Sequence, residues 1–136
     1  MERVVLDPAV LVSALISPLG NPAALWRAVR DERVEIITSP RLLAELARVL
    51  ARPKFRRYAT VEEVEAFVAE VARYGTPISD PANPPPVSRD PNDDYLVALA
   101  RSAAAGAIVS GDHDLTEMAD ADPPVLTPAA AVDRLL

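Results

Sequence analysis

The chain reads as an α/β protein: a parallel sheet with helices on both faces. Two observations carry that reading. Short β-branched runs alternate along the chain with helix-start signals, and such alternation specifies a parallel sheet covered on both sides. Many of the fourteen prolines directly follow a good capping residue, so they punctuate helices and do not mark a disordered tract.

Taken in order, Val4-Val5-Leu6 is the first strand, and Asp7-Pro8 opens a helix over 9–16. Asn21-Pro22 starts a second helix over 22–31, with Asn21 as the cap. Val34 to Thr38 is the second strand, and Ser39-Pro40 starts a helix over 40–51. Thr60 with Glu63 forms a capping box for a helix over 61–74. Thr76 to Ser79 and Pro124 to Thr127 are shorter strand candidates. Asp90-Pro91 begins a helix over 91–105 that leads into the strand Ala107 to Ser110, with a short turn after Asp114. Thr127-Pro128 begins a helix over 128–135, and Asp80 to Ser88, with Pro84-Pro85-Pro86, is a stiff loop.

The bulk composition narrows the function. At 136 residues the chain suits a single domain spanning 1–136. A net charge of −6 argues against a protein whose whole surface grips nucleic acid, though a local basic strip remains compatible with it. The absence of cysteine removes disulfides and thiolate metal sites and fits a reducing cytosol, so a cytoplasmic location is expected. The start, MERVVLDPAV, has no signal-peptide pattern. No apolar run approaches the ~20 residues of a membrane span.

Five acidic residues, Asp7, Glu45, Asp93, Asp112 and Asp114, fall where this topology brings strand ends together. Ligands of open parallel sheets bind outside the carboxyl ends of the strands, where strand order reverses. Asp7 closes the first strand, and Asp112 and Asp114 follow Ile108-Val109-Ser110. Asp93 stands in the first turn of the helix entering that strand, and Glu45 lies less than two turns into the helix after the second strand. In the 91–105 helix the apolar stripe runs through Leu96, Val97, Ala100, Ala103 and Ala104. That phase puts Asp93 inside the stripe and turns Asp94 toward solvent by roughly 100°. Each acid alone has a plainer reading. Asp7 is a cap, Asp93 and Asp94 complement a helix dipole, and Asp112 and Asp114 belong to a turn. Glu45 pairs equally well with Arg41 or Arg48 on its own helix.

Clustered carboxylates raise one another's pKa unless a cation compensates. With no cysteine and only His113, the ligands on offer are hard oxygens, which suit Mg²⁺ or Mn²⁺. Such a cation activates water and stabilises charge at an attacked phosphodiester. Other templates fail. There is no Gly-x-x-x-x-Gly-Lys and no Gly-x-Ser-x-Gly. A phosphatase-type Asp-x-Asp would need Asp where Ala9 stands, and a receiver domain would need a late lysine, whereas the only lysine is Lys54. Arg52, Lys54, Arg56 and Arg57, interleaved with Phe55 and Tyr58, form a basic segment suited to single-stranded RNA, or equally a solvated helix end.

The order of these strings resembles a known family. Val-Val-Leu-Asp-x-x-Val-Leu-Val-Ser-Ala-Leu is followed by Gly-Asn-Pro, and then by Ser-Pro-x-Leu-Leu-x-Glu-Leu-x-x-Val-Leu-x-Arg-Pro-Lys-Phe. Arg89 to Leu96, Val109 to Leu115 and Thr127-Pro128-Ala129 continue the pattern. Together they resemble the PIN-domain family, nearest to its branch of toxin components of toxin–antitoxin systems. The resemblance implies a three-layer α/β/α sandwich on a parallel sheet of four to five strands. It also implies metal-dependent cleavage of RNA, an antitoxin protein as partner, and a tendency to homodimers. By motif it places catalytic acids on Asp7, Glu45, Asp93 and Asp112, with metal at Asp7, Asp93 and Asp112 and Asp114 as an accessory. Ser110 and His113 are candidates for supporting or phosphate-contacting groups. The family's polar residues after its first Asp are replaced here by Pro8 and Ala9. That departure supports an alternative reading, a catalytically weak module that binds RNA or protein.

Overall fold

The computed structural model describes residues 1–82, 91–117 and 121–136, with 91–93 and 114 described by backbone only. Strand β1 (Glu2–Leu6) leads through helices α1 (Pro8–Ile16) and α2 (Asn21–Arg30) to β2 (Val34–Thr38). Helix α3 (Pro40–Leu50), a 3-10 turn (Pro53–Arg57) and α4 (Val61–Tyr74) precede β3 (Thr76–Pro77). Then come α5 (Pro91–Ser102), β4 (Ala107–Val109), α6 (His113–Thr116), β5 (Val125–Leu126) and α7 (Pro128–Leu135).

The five strands form one sheet in the order β3-β2-β1-β4-β5, with every pairing parallel. Strand β1 is central, pairing Val4 with Ile36 of β2 on one side and Leu6 with Val109 of β4 on the other. The order therefore reverses between β1 and β4, which makes that pair the switch point of the sheet. Helices α1 to α4 and α7 pack on one another, whereas α5 lies on β1 and β4, and α6 on β5. Right-handed crossovers put these two groups on opposite faces, completing a three-layer α/β/α sandwich.

Burial on both faces explains why the strands read as continuous apolar runs: Val4, Val5, Ile36, Ile37, Ile108 and Val109 are all buried. Trp26 of α2 meets Phe67 of α4 edge to face at 5.4 Å, joining two helices of the outer layer. Strand β3 follows directly on Gly75, where a Cβ would come within 2.4 Å of Thr38 Cγ2, so only glycine lets α4 end this close to β2.

The capping signals operate largely as read. Asp7 accepts from Ala9 N, Ser39 from Leu42 N and Thr127 from Ala130 N, and Thr60 with Glu63 closes a full capping box. Asn21 departs from the expectation. It is the first residue of α2, and Gly20 occupies the cap with no side-chain bond. Asp90, the expected cap of α5, and most of the 80–88 loop lie outside the described residues.

Two helices end where no glycine announces it. After α5, Ala105 N bonds Ala100 O and Ala104 N bonds Arg101 O, with Ala104 at φ 52°. After α2, Arg33 N bonds Ala28 O and Glu32 N bonds Val29 O, with Glu32 at φ 59°. Both are Schellman closures with a non-glycine residue in the left-handed position. The expected 91–105 helix accordingly stops at Ser102, and Ala104 is exposed instead of continuing an apolar stripe.

Candidate active site

The site is built at the carboxyl ends of β1 and β4. Asp7 follows β1, and its backbone N donates to Val109 O at 2.9 Å, extending the β1–β4 ladder by one bond. Its side chain caps α1, with Oδ1 accepting from Ala9 N at 3.0 Å. The other oxygen, Oδ2, accepts from Ser110 Oγ at 2.9 Å. Ser110 is wholly buried, and its Oγ also accepts from Asp112 N at 3.0 Å. One hydroxyl thus joins the two strand ends that carry Asp7 and Asp112. Asp112 in turn caps α6, its carbonyl accepting from Leu115 N and Thr116 N.

Helix α5 brings Asp93 and Asp94 in its first turns. The side chains of Asp93 and Asp114 lie outside the described residues. Asp94 was expected to face solvent, and instead it is only 8% exposed. The reason is that α5 is covered on more than one side: Tyr95, Leu96, Val97 and Leu99 are buried alongside Asp94. A helical phase of 100° per residue then no longer separates an inner from an outer face.

Glu45 is half-buried on α3, and its Oε1 lies 3.8 Å from Arg48 Nη2. Of the two arginines that were candidates to pair with it, Arg48 makes the ion pair. His113, the first residue of α6, is almost fully exposed, with Nδ1 3.9 Å from Glu117 Oε1.

The basic segment after α3 is only partly a free surface. Arg56 Nη2 donates to Leu50 O, so this cation closes the carboxyl end of α3. Phe55 is buried at 9% exposure and cannot stack a base, which corrects its reading as part of an RNA-binding strip. Arg52, Lys54 and Arg57 are exposed, the last two lying over the rings of Phe55 and Tyr58.

A polar network beside the acids is not evident in the sequence. Tyr95 on α5 is 1% exposed, yet its hydroxyl bonds Ser39 Oγ and donates to Asp80 Oδ1 at 2.6 Å. Asp80 Oδ2 accepts from Arg41 N at 3.0 Å, and the Arg41 guanidinium lies 4.0 Å over the Tyr95 ring. Burial pushes the Tyr95 hydroxyl up to about 12, and its bond to the Asp80 carboxylate adds to the rise. Burial also raises Asp80, but bonds from Ser39, Tyr95 and the Arg41 amide, with the Arg41 charge, hold it below the ordinary carboxylate range. The available signal was that Ser39 and Asp80 follow neighbouring parallel strands, so both had to meet at the same rim.

Among the described residues no three carboxylate, histidine or cysteine side chains form a metal-binding group. What the described part provides is a pair of acids at the switch point, joined by a buried serine that bonds the Asp7 carboxylate and the Asp112 backbone amide.

Comparison with known proteins agrees with this architecture. The chain is 30% identical over 118 residues to the uncharacterized protein MJ1680 of Methanocaldococcus jannaschii, covering 87% of this chain and 76% of that one. The fold is similar to PAE2754 from Pyrobaculum aerophilum, with TM-score 0.63 at 14% identity over 99% of this chain and 89% of the other. It is also similar to VapBC2 from Rickettsia felis, solved bound to a DNA fragment from its promoter, with TM-score 0.62 at 13% identity over 92% and 98%. Residues 3–114, which include Asp7, Glu45, Asp93, Asp94, Asp112 and Asp114, match the PIN domain, and the chain belongs to that family.

Proposed function

We propose that this protein is a Mg²⁺- or Mn²⁺-dependent endoribonuclease that acts as the toxin of a toxin–antitoxin pair. The observation that carries the reading is the Asp7–Ser110–Asp112 linkage at the switch point of a PIN fold. The donor chemistry fits the cation. Mg²⁺ usually keeps several waters and takes only one or two carboxylates, and Asp7 and Asp112 offer hard oxygen ligands. Asp93 and Asp114, by their place on the same rim, are the further candidates. A bound cation would supply charge stabilisation at the attacked phosphodiester and lower the pKa of a water.

The protein's own groups set up that chemistry. The Ala9 amide and the Ser110 hydroxyl hold both Asp7 oxygens, fixing the carboxylate before any ligand arrives. Glu45, half-buried and paired with Arg48, is the acid we assign to completing the shell or taking a proton from the attacking water, as the family strings suggest. Ser110 is a positioning group. His113, exposed at the start of α6, is available to contact a phosphate. The likeness to VapBC2 and the toxin-branch strings support an antitoxin as partner.

Incubating the purified chain with single-stranded RNA tests this. Cleavage is expected with Mn²⁺ or Mg²⁺ and not with EDTA, and intact RNA under every metal condition overturns the proposal.

The second reading, a catalytically weak binding module, rests on Pro8 and Ala9. The Ala9 backbone bonds Asp7, but neither side chain offers a polar atom near it. Pro8 is buried and Ala9 exposed, so Ala9→Asn is the tolerable substitution. A gain in cleavage by that variant favours the second reading, and unchanged cleavage removes its support.

A further inference from the structure

Helix α3 carries a second feature on the face that bears Glu45. Arg41, Ala44, Glu45 and Arg48 line one cleft. Their spacing of three and four residues makes them a single stripe along the helix. Arg41 sits in the first turn after Ser39, at the carboxyl rim of the sheet, and Arg48 follows about 10 Å further along the axis.

Two guanidinium groups flank the Glu45 carboxylate in this cleft, with the Asp80 carboxylate at the rim end bonded to the Arg41 amide. Ala44 keeps its floor shallow. Arg41 does not sweep freely: its guanidinium is stacked 4.0 Å over Tyr95, and its amide is bonded to Asp80. Tyr95 is itself fixed by Ser39 and Asp80. Arg48, with 64% of its side chain exposed, is held from the other side by Glu45. An arginine immobilised in this way loses less entropy on binding an anion, and its planar fork matches phosphate oxygens. The Glu45 carboxylate between the two cations is locally neutralised, so it does not repel a polyanion. The exposed cations Arg52, Lys54 and Arg57 lie past the far end of α3, roughly 16 Å of helix from the rim.

We propose that this cleft is a subsite for a backbone phosphate of the RNA strand, with Arg41 and Arg48 as its contacts, and Tyr95 and Asp80 positioning Arg41. The proposal rests on the nuclease reading above for the identity of the strand, but its test does not depend on cleavage. Binding of a labelled single-stranded RNA is measured by fluorescence anisotropy in EDTA across a salt series. Arg41→Met and Arg48→Met are each expected to weaken binding roughly 5- to 20-fold at low salt. Each should also flatten the slope of log Kd against log salt by about 0.7, the share of one single-strand phosphate contact. Arg134→Met, whose arginine pairs with Glu2 at the opposite end of the sheet, is the charge control and should bind as the parent does. Parent-like affinity and slope in both α3 variants overturn the subsite, as does an equal loss in Arg134→Met. If the α3 variants lose affinity while the parent never cleaves RNA with Mn²⁺, the subsite stands and the nuclease reading falls.

Discussion

Ser110 donates its hydroxyl hydrogen to Asp7 at 2.9 Å across the β1–β4 boundary, although the two residues are separated by most of the chain. The same oxygen receives the Asp112 amide. The bond therefore carries information between strands: it sets the rotamer of one acid from the backbone position of another. Ser110→Ala is expected to leave a folded protein, with RNA cleavage reduced about 10- to 100-fold by loss of support to the carboxylate proposed to hold the metal. Steady-state cleavage rates at saturating Mn²⁺ check this, and an unchanged rate assigns Ser110 to packing alone.

Asp7 and the two acids of α5 separate by the type of damage their loss causes. Asp7→Asn and Asp93→Asn should abolish cleavage while thermal melts stay near the parent's. Asp94 is buried, so Asp94→Ala should lower stability by about 1–3 kcal/mol through a lost hydrogen-bonding group. Urea unfolding of the three variants, set beside their cleavage rates, distinguishes the roles. A parent-like unfolding midpoint for Asp94→Ala would refute the structural role given to it.

The Tyr95–Asp80 pair gives stability a signature at both ends of the pH scale. Tyr95 has a raised pKa in the folded state, so its contribution is intact below about pH 10 and is lost as pH climbs toward the folded value of about 12. Asp80 is held low, so its contribution is present above about pH 4 and is lost as pH falls through its folded value. Tyr95→Phe should flatten the alkaline limb of a stability–pH profile, and Asp80→Asn the acid limb. Ultraviolet titration of the parent should show Tyr95 ionising only toward about pH 12. A Tyr95 that ionises at about pH 10, the ordinary phenol value, would contradict the buried network.

Ala104 occupies the left-handed position that closes α5. Ala104→Gly should raise unfolding stability by roughly 1 kcal/mol, because the Cβ strain is relieved and both closing hydrogen bonds are kept. The measurement is a urea midpoint, and a lower midpoint would mean that chain entropy outweighs the strain.

These variants also show where sequence reasoning works and where it stops. Helix starts were legible because capping is local: Ser39, Thr60 and Thr127 each bond an amide two or three residues on. Helix ends were less so, since Glu32 and Ala104 do the work usually given to glycine. The convergence of Asp7 and Asp112 followed from topology, because both terminate neighbouring parallel strands. Asp94 was misread because helical phase predicts burial only for a helix with one covered side. The Tyr95 network left only a topological signal, because its members come from α5, the end of β2 and the segment after β3. No local pattern links such distant positions. Phe55 failed for a similar reason, since its burial depends on how the 3-10 turn joins the hydrophobic core.

Placing β1 in the middle of the sheet has a consequence for synthesis. Made before both of its partners, this strand gains one neighbour when β2 appears but keeps an unsatisfied edge until Ala107–Val109 is translated. Throughout that interval the nascent polypeptide presents a sticky margin that chaperones would need to shield. Ser110 arrives with the same stretch, so the linkage between Asp7 and Asp112 cannot form before β4 has been made.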